Sequence, residues 1–161
     1  MKLNQRTILI TGGTSGIGFE LAKQLLQRGN TVIVTGRDPQ KLAATGKALT
    51  GVHTLQSDVS SPEAISALQQ TVCAQFPALD VLINNAGIMR NLDLNQERGL
   101  EDVTREIEIN FSGPVRMIQQ FLPHLKTWRV QLQGAASPSL NSARPQQCIE
   151  ANEQDRAWVH A

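Results

Sequence analysis

Hydrophobic positions along this chain fall into short apolar runs separated by segments of helical spacing, and the two periods alternate. Thr7 to Thr11, with Ile8, Leu9 and Ile10 at its centre, has the length and apolar continuity of a strand buried on both faces. From Gly18 onward Leu21, Ala22, Leu25 and Leu26 recur at helical spacing, and Gly29 stands where a left-handed C-terminal cap belongs. Thr31 to Thr35 repeats the strand pattern. Pro39 to Leu49 reads as a helix through Leu42, Ala43 and Ala48, and Val52 to Gln56 as a shorter third strand. Ser60-x-x-Glu63, with Pro62 between them, reads as a capping box for a helix whose apolar stripe runs through Ile65, Leu68 and Val72. Leu79 to Ile83 is the fourth strand. After a polar loop from Ile88 to Gly99, the spacing predicts one long helix over Leu100 to Leu122, through Val103, Ile107, Phe111, Val115, Ile118 and Leu122. Strands and helices alternating in this way predict a three-layer α/β fold, with parallel strands ordered 3-2-1-4 by right-handed crossovers.

The pattern breaks after Lys126. Residues 133 to 161 are rich in Gln, Ala, Ser, Asn, Arg and Pro, and Leu140, Ile149, Trp158 and Val159 follow no sustained period, so this part reads as a mostly irregular tail. Residues 1–126 and 127–161 are thus expected to be a partial α/β domain and a divergent tail. The fourth strand's outer neighbour is expected from Trp128 to Leu132 or not at all. That segment alternates apolar and polar residues, which suits a half-covered strand, so an open sheet edge, marginal stability and self-association are expected.

Composition narrows the picture little further. The 161 residues carry a formal net charge of +1, with basic residues scattered, which leaves no electrostatic footprint for nucleic acid or an anionic membrane. Cys73 and Cys148 sit in no CxxC motif and no Cys/His cluster of metal-binding spacing, so no metal is expected and the thiols fit a reduced compartment. The chain passes almost directly into its first strand without a long apolar segment, and the cytoplasm is the expected location.

Chemistry concentrates in Thr11-Gly12-Gly13-Thr14-Ser15-Gly16-Ile17-Gly18, a glycine-rich turn from a buried strand into an amphipathic helix. By analogy with the dinucleotide-binding turn this reads as a phosphate-binding turn, the alternative being a glycine-rich strand-to-helix turn with no ligand: Gly12 allows the tight exit from the strand, Gly16 lets a pyrophosphate approach the backbone, and Gly18 lets the helix pack closely. The helix's free N–H groups and positive dipole end would face the phosphates. The second strand ends at Gly36-Arg37-Asp38. Arg37 reads either as a partner for a 2′-phosphate or as a solvated loop charge, and Asp38 as an N-cap for the helix begun by Pro39. Asn84 and Asn85 lie at the end of a buried strand, where amides need partners, and read as a network pinning the centre of the sheet.

Thr11-Gly12-x-x-x-Gly16-x-Gly18, then Asp58-Val59, then Asn84-Asn85-Ala86-Gly87 resemble the short-chain dehydrogenase/reductase family in motif, order and spacing, from Met1 to about Lys126. Through Asn85-Ala86-Gly87-Ile88-Met89-Arg90-Asn91 the chain is also similar to bacterial oxidoreductases found with lipoteichoic-acid D-alanylation genes. The resemblance implies a Rossmann-like parallel sheet, here truncated after the fourth strand and the helix that follows it. It implies a dinucleotide held by Gly12, Thr14, Ser15, Gly16, Ile17 and Gly18, by Asp58 and Val59 at the adenine, and by Asn85, Ala86 and Gly87 beside a ribose. The family's acidic ribose-binding position falls on Gly36 with Arg37 next to it, which implies NADP in preference to NAD. Asn110 matches the family's catalytic Asn, which helps hold a proton-relay water through a local helix distortion; the alternative is an ordinary helical Asn.

The family's Tyr-x-x-x-Lys pair is absent: the sequence contains no tyrosine, and no lysine follows Lys126. Ser137, Ser139 and Ser142 lie roughly where the family's Ser belongs, but without a downstream Tyr none takes its role. The break in pattern resembles a frameshifted or prematurely ended gene product, with a genuine short form as the alternative. Two functions are therefore expected: an oxidoreductase of this family with its nucleotide half retained and its catalysis impaired, or a non-catalytic nucleotide-binding or interaction module pairing through the long helix. The substrate expected for the first is a small carbonyl or alcohol.

Overall fold

The computed structural model describes residues 3–89, 100–125 and 157–160. The chain runs β1 (Thr7–Thr11), α1 (Gly16–Gln27), β2 (Thr31–Gly36), α2 (Pro39–Ala48), β3 (His53–Gln56), α3 (Pro62–Gln75) and β4 (Leu79–Asn84). Then come α4 (Leu100–Ile107), a π-helical turn (Glu108–Ser112), α5 (Gly113–Phe121) and β5 (Ala157–His160). Among the described residues every strand pairing is parallel, and the order is β3-β2-β1-β4-β5. The expected 3-2-1-4 arrangement is present.

The alternation of side chains along β1 divides the core into two layers. Ile8 and Ile10 join Val32, Val34, Val81 and Ile83 against Ala22 and Leu25 of α1 and Leu49 beyond α2. Leu9 faces the other way, with Ile33, Leu79 and Leu82 against Ile65, Leu68 and Val72 of α3 and Met117 and Phe121 of α5. Ile8, Leu9 and Ile10 are all wholly buried, as a strand covered on both faces requires. In the β1–β4 ladder Thr7 pairs with Leu79 and Ile8 with Val81, so Asp80 is the extra residue. Its carboxylate accepts the Thr7 N–H at 3.0 Å and lies 3.6 Å from Arg6.

Three expectations are corrected. The fourth strand does not end the sheet: Ala157–His160 pairs with its outer edge, where Trp128–Leu132 or an open edge was expected. An unpaired parallel edge presents a row of N–H and C=O groups, and the Trp158-Val159 pair is strand-forming sequence able to meet them. Trp128–Leu132 itself, Ser137, Ser139 and Ser142 lie outside the described residues, as does most of the loop after Met89. The α3 cap is Ser61, not Ser60: its hydroxyl accepts the Ala64 N–H at 3.1 Å, which puts Pro62 at the first helical position. The long helix over 100–122 is interrupted by the π turn. Its buried residues are Ile109, Gly113, Met117 and Phe121, whereas Ile107, Phe111, Val115 and Leu122 are exposed. Among the described residues no helix is long and apolar enough to cross a membrane.

Candidate functional site

The carboxyl ends of the four strands β1 to β4 converge on one cavity of about 380 Å³. In an open parallel sheet this is the end where ligands bind, beside the strand at which the order reverses. That strand is β1. The helices that start around the cavity differ in one respect. At α2 the Asp38 carboxylate accepts the N–H groups of Gln40 and Lys41, at 2.8 and 3.2 Å. At α3 Ser61 caps. At α1 the preceding Ser15 makes no side-chain cap, and the first turn holds no acidic residue. The first N–H groups of α1 and the positive end of its dipole are therefore left to whatever enters the cavity.

The turn that delivers α1 is fixed by Asn85. Its amide donates to the carbonyl oxygens of Thr11 and Gly12, at 3.0 and 3.1 Å, and the Thr11 hydroxyl accepts the N–H groups of Asn85 and Ala86, both at 3.0 Å. The end of β4 and the glycine turn thus form one hydrogen-bonded unit, as the network reading of the amides requires. Asn84 differs: its side chain is buried, and neither amide atom has a hydrogen-bond partner among the described residues. Gly12 turns with φ +67°, and a Cβ there would lie 2.8 Å from the Ala86 Cα. A Cβ on Gly18 would run into the Asn85 amide and the Gly12 carbonyl, so Gly18 serves the close approach of α1 to this unit.

The far end of the cavity is charged. Arg37 follows β2, its carbonyl receiving a hydrogen bond from Gln56 at 3.0 Å, and its guanidinium lies 3.9 Å from the Asp58 carboxylate. The other oxygen of Asp58 accepts the Ser60 N–H and hydroxyl at 2.9 and 2.7 Å. Asp58 thus combines a local turn role with an ion pair across the cavity. Arg116 of α5 ties this loop to the π turn, donating to the Ser60 carbonyl at 3.5 Å and pairing with Glu108 at 2.7 Å. The Glu63 carboxyl, beside the same loop, is held below the usual carboxylate range by its own backbone N–H, then by the Ser61 hydroxyl, with the Arg116 charge adding to the effect.

Of the residues singled out in the sequence, Gly12, Thr14, Ser15, Ile17, Gly18, Arg37, Asp58, Val59, Asn85, Ala86 and Gly87 all line the cavity; Gly16 and Asn110 do not. Gly16 opens α1 with φ +54° and nothing near the place of its missing Cβ. Asn110 sits inside the π turn, one layer behind, and there it grips Ile88, donating to its carbonyl at 2.6 Å and accepting its N–H at 2.8 Å. The helix distortion expected at Asn110 is therefore present. Sequence reasoning passed over Lys41, Ser57 and Ile88, which also line the cavity. For Lys41 a signal existed: it follows Arg37 by one helical turn. Chemically, the cavity offers an uncapped helix start and a far end lined by two cations and two carboxylates, a set able to meet an elongated phosphorylated ligand. Among the described residues no group of three or more His, Cys, Asp or Glu is placed to hold a metal ion.

Comparison with known proteins agrees with this geometry. The sequence model of the short chain dehydrogenase family matches residues 6–135. The chain is 44% identical over 128 residues to the oxidoreductase DltE of Bacillus subtilis, covering 78% of this chain and 50% of that protein. It is 35% identical over 117 residues to the NADP-dependent 3-hydroxy acid dehydrogenase YdfG of Salmonella typhi, covering 72% of this chain and 47% of that one. The chain thus spans about half the length of these curated relatives. The solved structure of 3-ketoacyl-(acyl-carrier-protein) reductase from Brucella melitensis, complexed with NADH, superposes with a TM-score of 0.70 at 26% identity, over 76% of this chain and 51% of that one.

Proposed function

Because the chain belongs to the short chain dehydrogenase family, we propose that residues 7–89 hold NADP for an oxidoreductase acting on a small carbonyl or alcohol. The observation that carries this reading is the start of α1, the one of the first three helices that lacks a side-chain cap and opens into the cavity. Its N–H groups would receive the pyrophosphate. Asp58 and Val59 would border the adenine, and Asn85, Ala86 and Gly87 the second ribose. The preference for NADP over NAD rests on Gly36, which brings no carboxylate to the adenosine ribose, and on Arg37 beside it. YdfG is NADP-dependent whereas the Brucella reductase was solved with NADH, so the choice within this group falls to such local residues.

When bound, the dinucleotide supplies hydride at its nicotinamide. Residues 1–161 contain no tyrosine and no lysine beyond Lys126, so they do not supply the family's Tyr–Lys acid/base pair. General acid/base catalysis is worth about 10² to 10⁴ in rate, and an amide such as that of Asn110 does not titrate near neutral pH. We therefore propose that the 161-residue chain binds NADP with impaired turnover. Calorimetric titration of the purified chain with NADP and NAD tests this: tighter binding of NADP, with negligible NADPH-dependent carbonyl reduction, is expected. Failure to bind either nucleotide overturns the reading, and robust reduction overturns the impairment.

A second proposal concerns self-association through the helical segment 100–122. It is supported by the exposed Ile107, Phe111, Val115 and Leu122, large apolar side chains that follow one another from the end of α4 through the π turn to just beyond α5. Sedimentation of wild type and Phe111→Ser tests it; equal masses at equal concentration count against it.

A further inference from the structure

We infer that Lys41 is the second cation of the 2′-phosphate subsite and supplies the charge by which the cavity tells a 2′-phosphate from a free 2′-hydroxyl, an inference that rests on the NADP preference proposed above. Four charged side chains line the far end of the cavity: Arg37, Asp38, Lys41 and Asp58. Their formal charges cancel, so a phosphate dianion gains from this end only if the carboxylates are occupied elsewhere and a cation is left over. Both carboxylates are indeed engaged. Asp38 caps α2, which also removes the Gln40 and Lys41 N–H groups as anion donors. Asp58 is held by Ser60 on one oxygen and lies against Arg37 on the other.

Arg37 is thus already matched by a carboxylate 3.9 Å away. Lys41 is not: its ammonium makes no ion pair with any described residue. It occupies the third position of α2, and side chains early in a helix lean back toward the N-terminus, here toward Gly36 and Arg37 at the end of β2. An ammonium is a compact charge on a flexible stem and reaches phosphate oxygens without the fixed fork geometry a guanidinium demands. Lys41 is also exposed and outside both core clusters, so its removal leaves the fold intact.

The test is calorimetric titration of the 161-residue chain with adenosine 2′,5′-bisphosphate and with adenosine 5′-monophosphate, for wild type, Lys41→Ala and Lys41→Arg. Wild type is expected to prefer the bisphosphate. Lys41→Ala is expected to cut that preference about tenfold, weakening the bisphosphate far more than the monophosphate, and Lys41→Arg to restore most of it. If wild type prefers the bisphosphate and Lys41→Ala keeps the full preference, the role of Lys41 is overturned and the NADP reading stands. If wild type binds both nucleotides equally, the NADP reading fails and the role of Lys41 falls with it.

Discussion

The side-chain amide of Asn110 is wholly engaged by the backbone of a single residue, Ile88, giving one hydrogen bond to its carbonyl and taking one from its N–H. The π turn and the segment after Gly87 are thereby joined across 22 residues of sequence. Asn110→Ala removes both bonds and is expected to destabilise by about 1–2 kcal/mol. Asn110→Asp keeps the acceptor for the Ile88 N–H but sets a second carboxylate oxygen against the Ile88 carbonyl in place of the donor, and should lose at least as much. Amide exchange at Ile88 reads the effect directly: a rate unchanged in Asn110→Ala would mean that the two bonds do not hold the segment.

Thr14 stands where a side chain on residue 36 would go. A Cβ there would lie 2.9 Å from the Thr14 Cγ2, which is the end of a side chain and can move. Gly36→Asp is expected to reverse the nucleotide preference toward NAD and to cost about 1 kcal/mol, the lower range for overpacking. Thr14→Ser should recover the stability without restoring the preference. Affinity ratios together with thermal midpoints separate the two effects, and an unaltered ratio would show that residue 36 does not choose the nucleotide.

The Ser61 hydroxyl serves two groups at once, accepting the Ala64 N–H and donating to the Glu63 carboxylate at 2.8 Å. Ser61→Ala is expected to cost about 1 kcal/mol at neutral pH through loss of the cap. Glu63 adds a pH dependence. Because its folded pKa lies below the ordinary 4.5, its contribution is complete above that value and is lost as the pH falls through the folded pKa. Part of the depression comes from Ser61, so the gap between wild type and Ser61→Ala should narrow on acidification below 4.5. Melting curves at neutral and acid pH measure it; a gap that widens in acid would contradict the assignment.

Much of the cavity was legible in the sequence because its parts are local. A β-branched run, a glycine turn and an amphipathic helix from Thr7 to Gln27 fix one another within a few residues, and Asn85-Ala86-Gly87 follows directly from a buried strand. The misreadings arose where two patterns coincided. Ser60 and Ser61 both precede Pro62, and the Ser60-x-x-Glu63 spacing outweighed the stronger placing of proline at the first helical position, which marks Ser61. In the segment after Leu100, Ile107-Phe111-Val115 and Ile109-Gly113-Met117-Phe121 both run in steps of four. The second row faces the core, although its small Gly113 makes it look the less apolar of the two. Gly113 is small because a Cβ there would stand 3.0 Å from the Val59 carbonyl, a contact that local spacing does not reveal. Lys41 was passed over although its spacing from Arg37 was local, because only the placing of α2 beside the end of β2 shows that both line one cavity.

Leu9 is the residue on which the α3 and α5 layer closes. It is wholly buried and shares one cluster with Ile33, Leu82 and Phe121. Leu9→Ala is expected to cost about 3 kcal/mol, the transfer of the lost side chain plus the cavity left behind. Leu9→Met, close in volume, should cost under about 1.5 kcal/mol. Urea midpoints distinguish them; equal costs would mean that packing at this position is not what stabilises the sheet.

The sheet order also has a kinetic side. From β1 the chain lays β2 and then β3 outward beside the strand just made, whereas β4 has to return past both to reach the free edge of β1. The bonds that complete the cavity, from Asn85 to Thr11 and Gly12, span 74 and 73 residues. Closures of that length carry a larger entropic cost, and these bonds are expected to form late on the route to the native state. A nucleotide that needs the glycine turn and Asn85 together meets its site only once the barrier has been crossed. It then slows unfolding and leaves the folding rate untouched, acting as a latch on a finished fold and not as a template for making one.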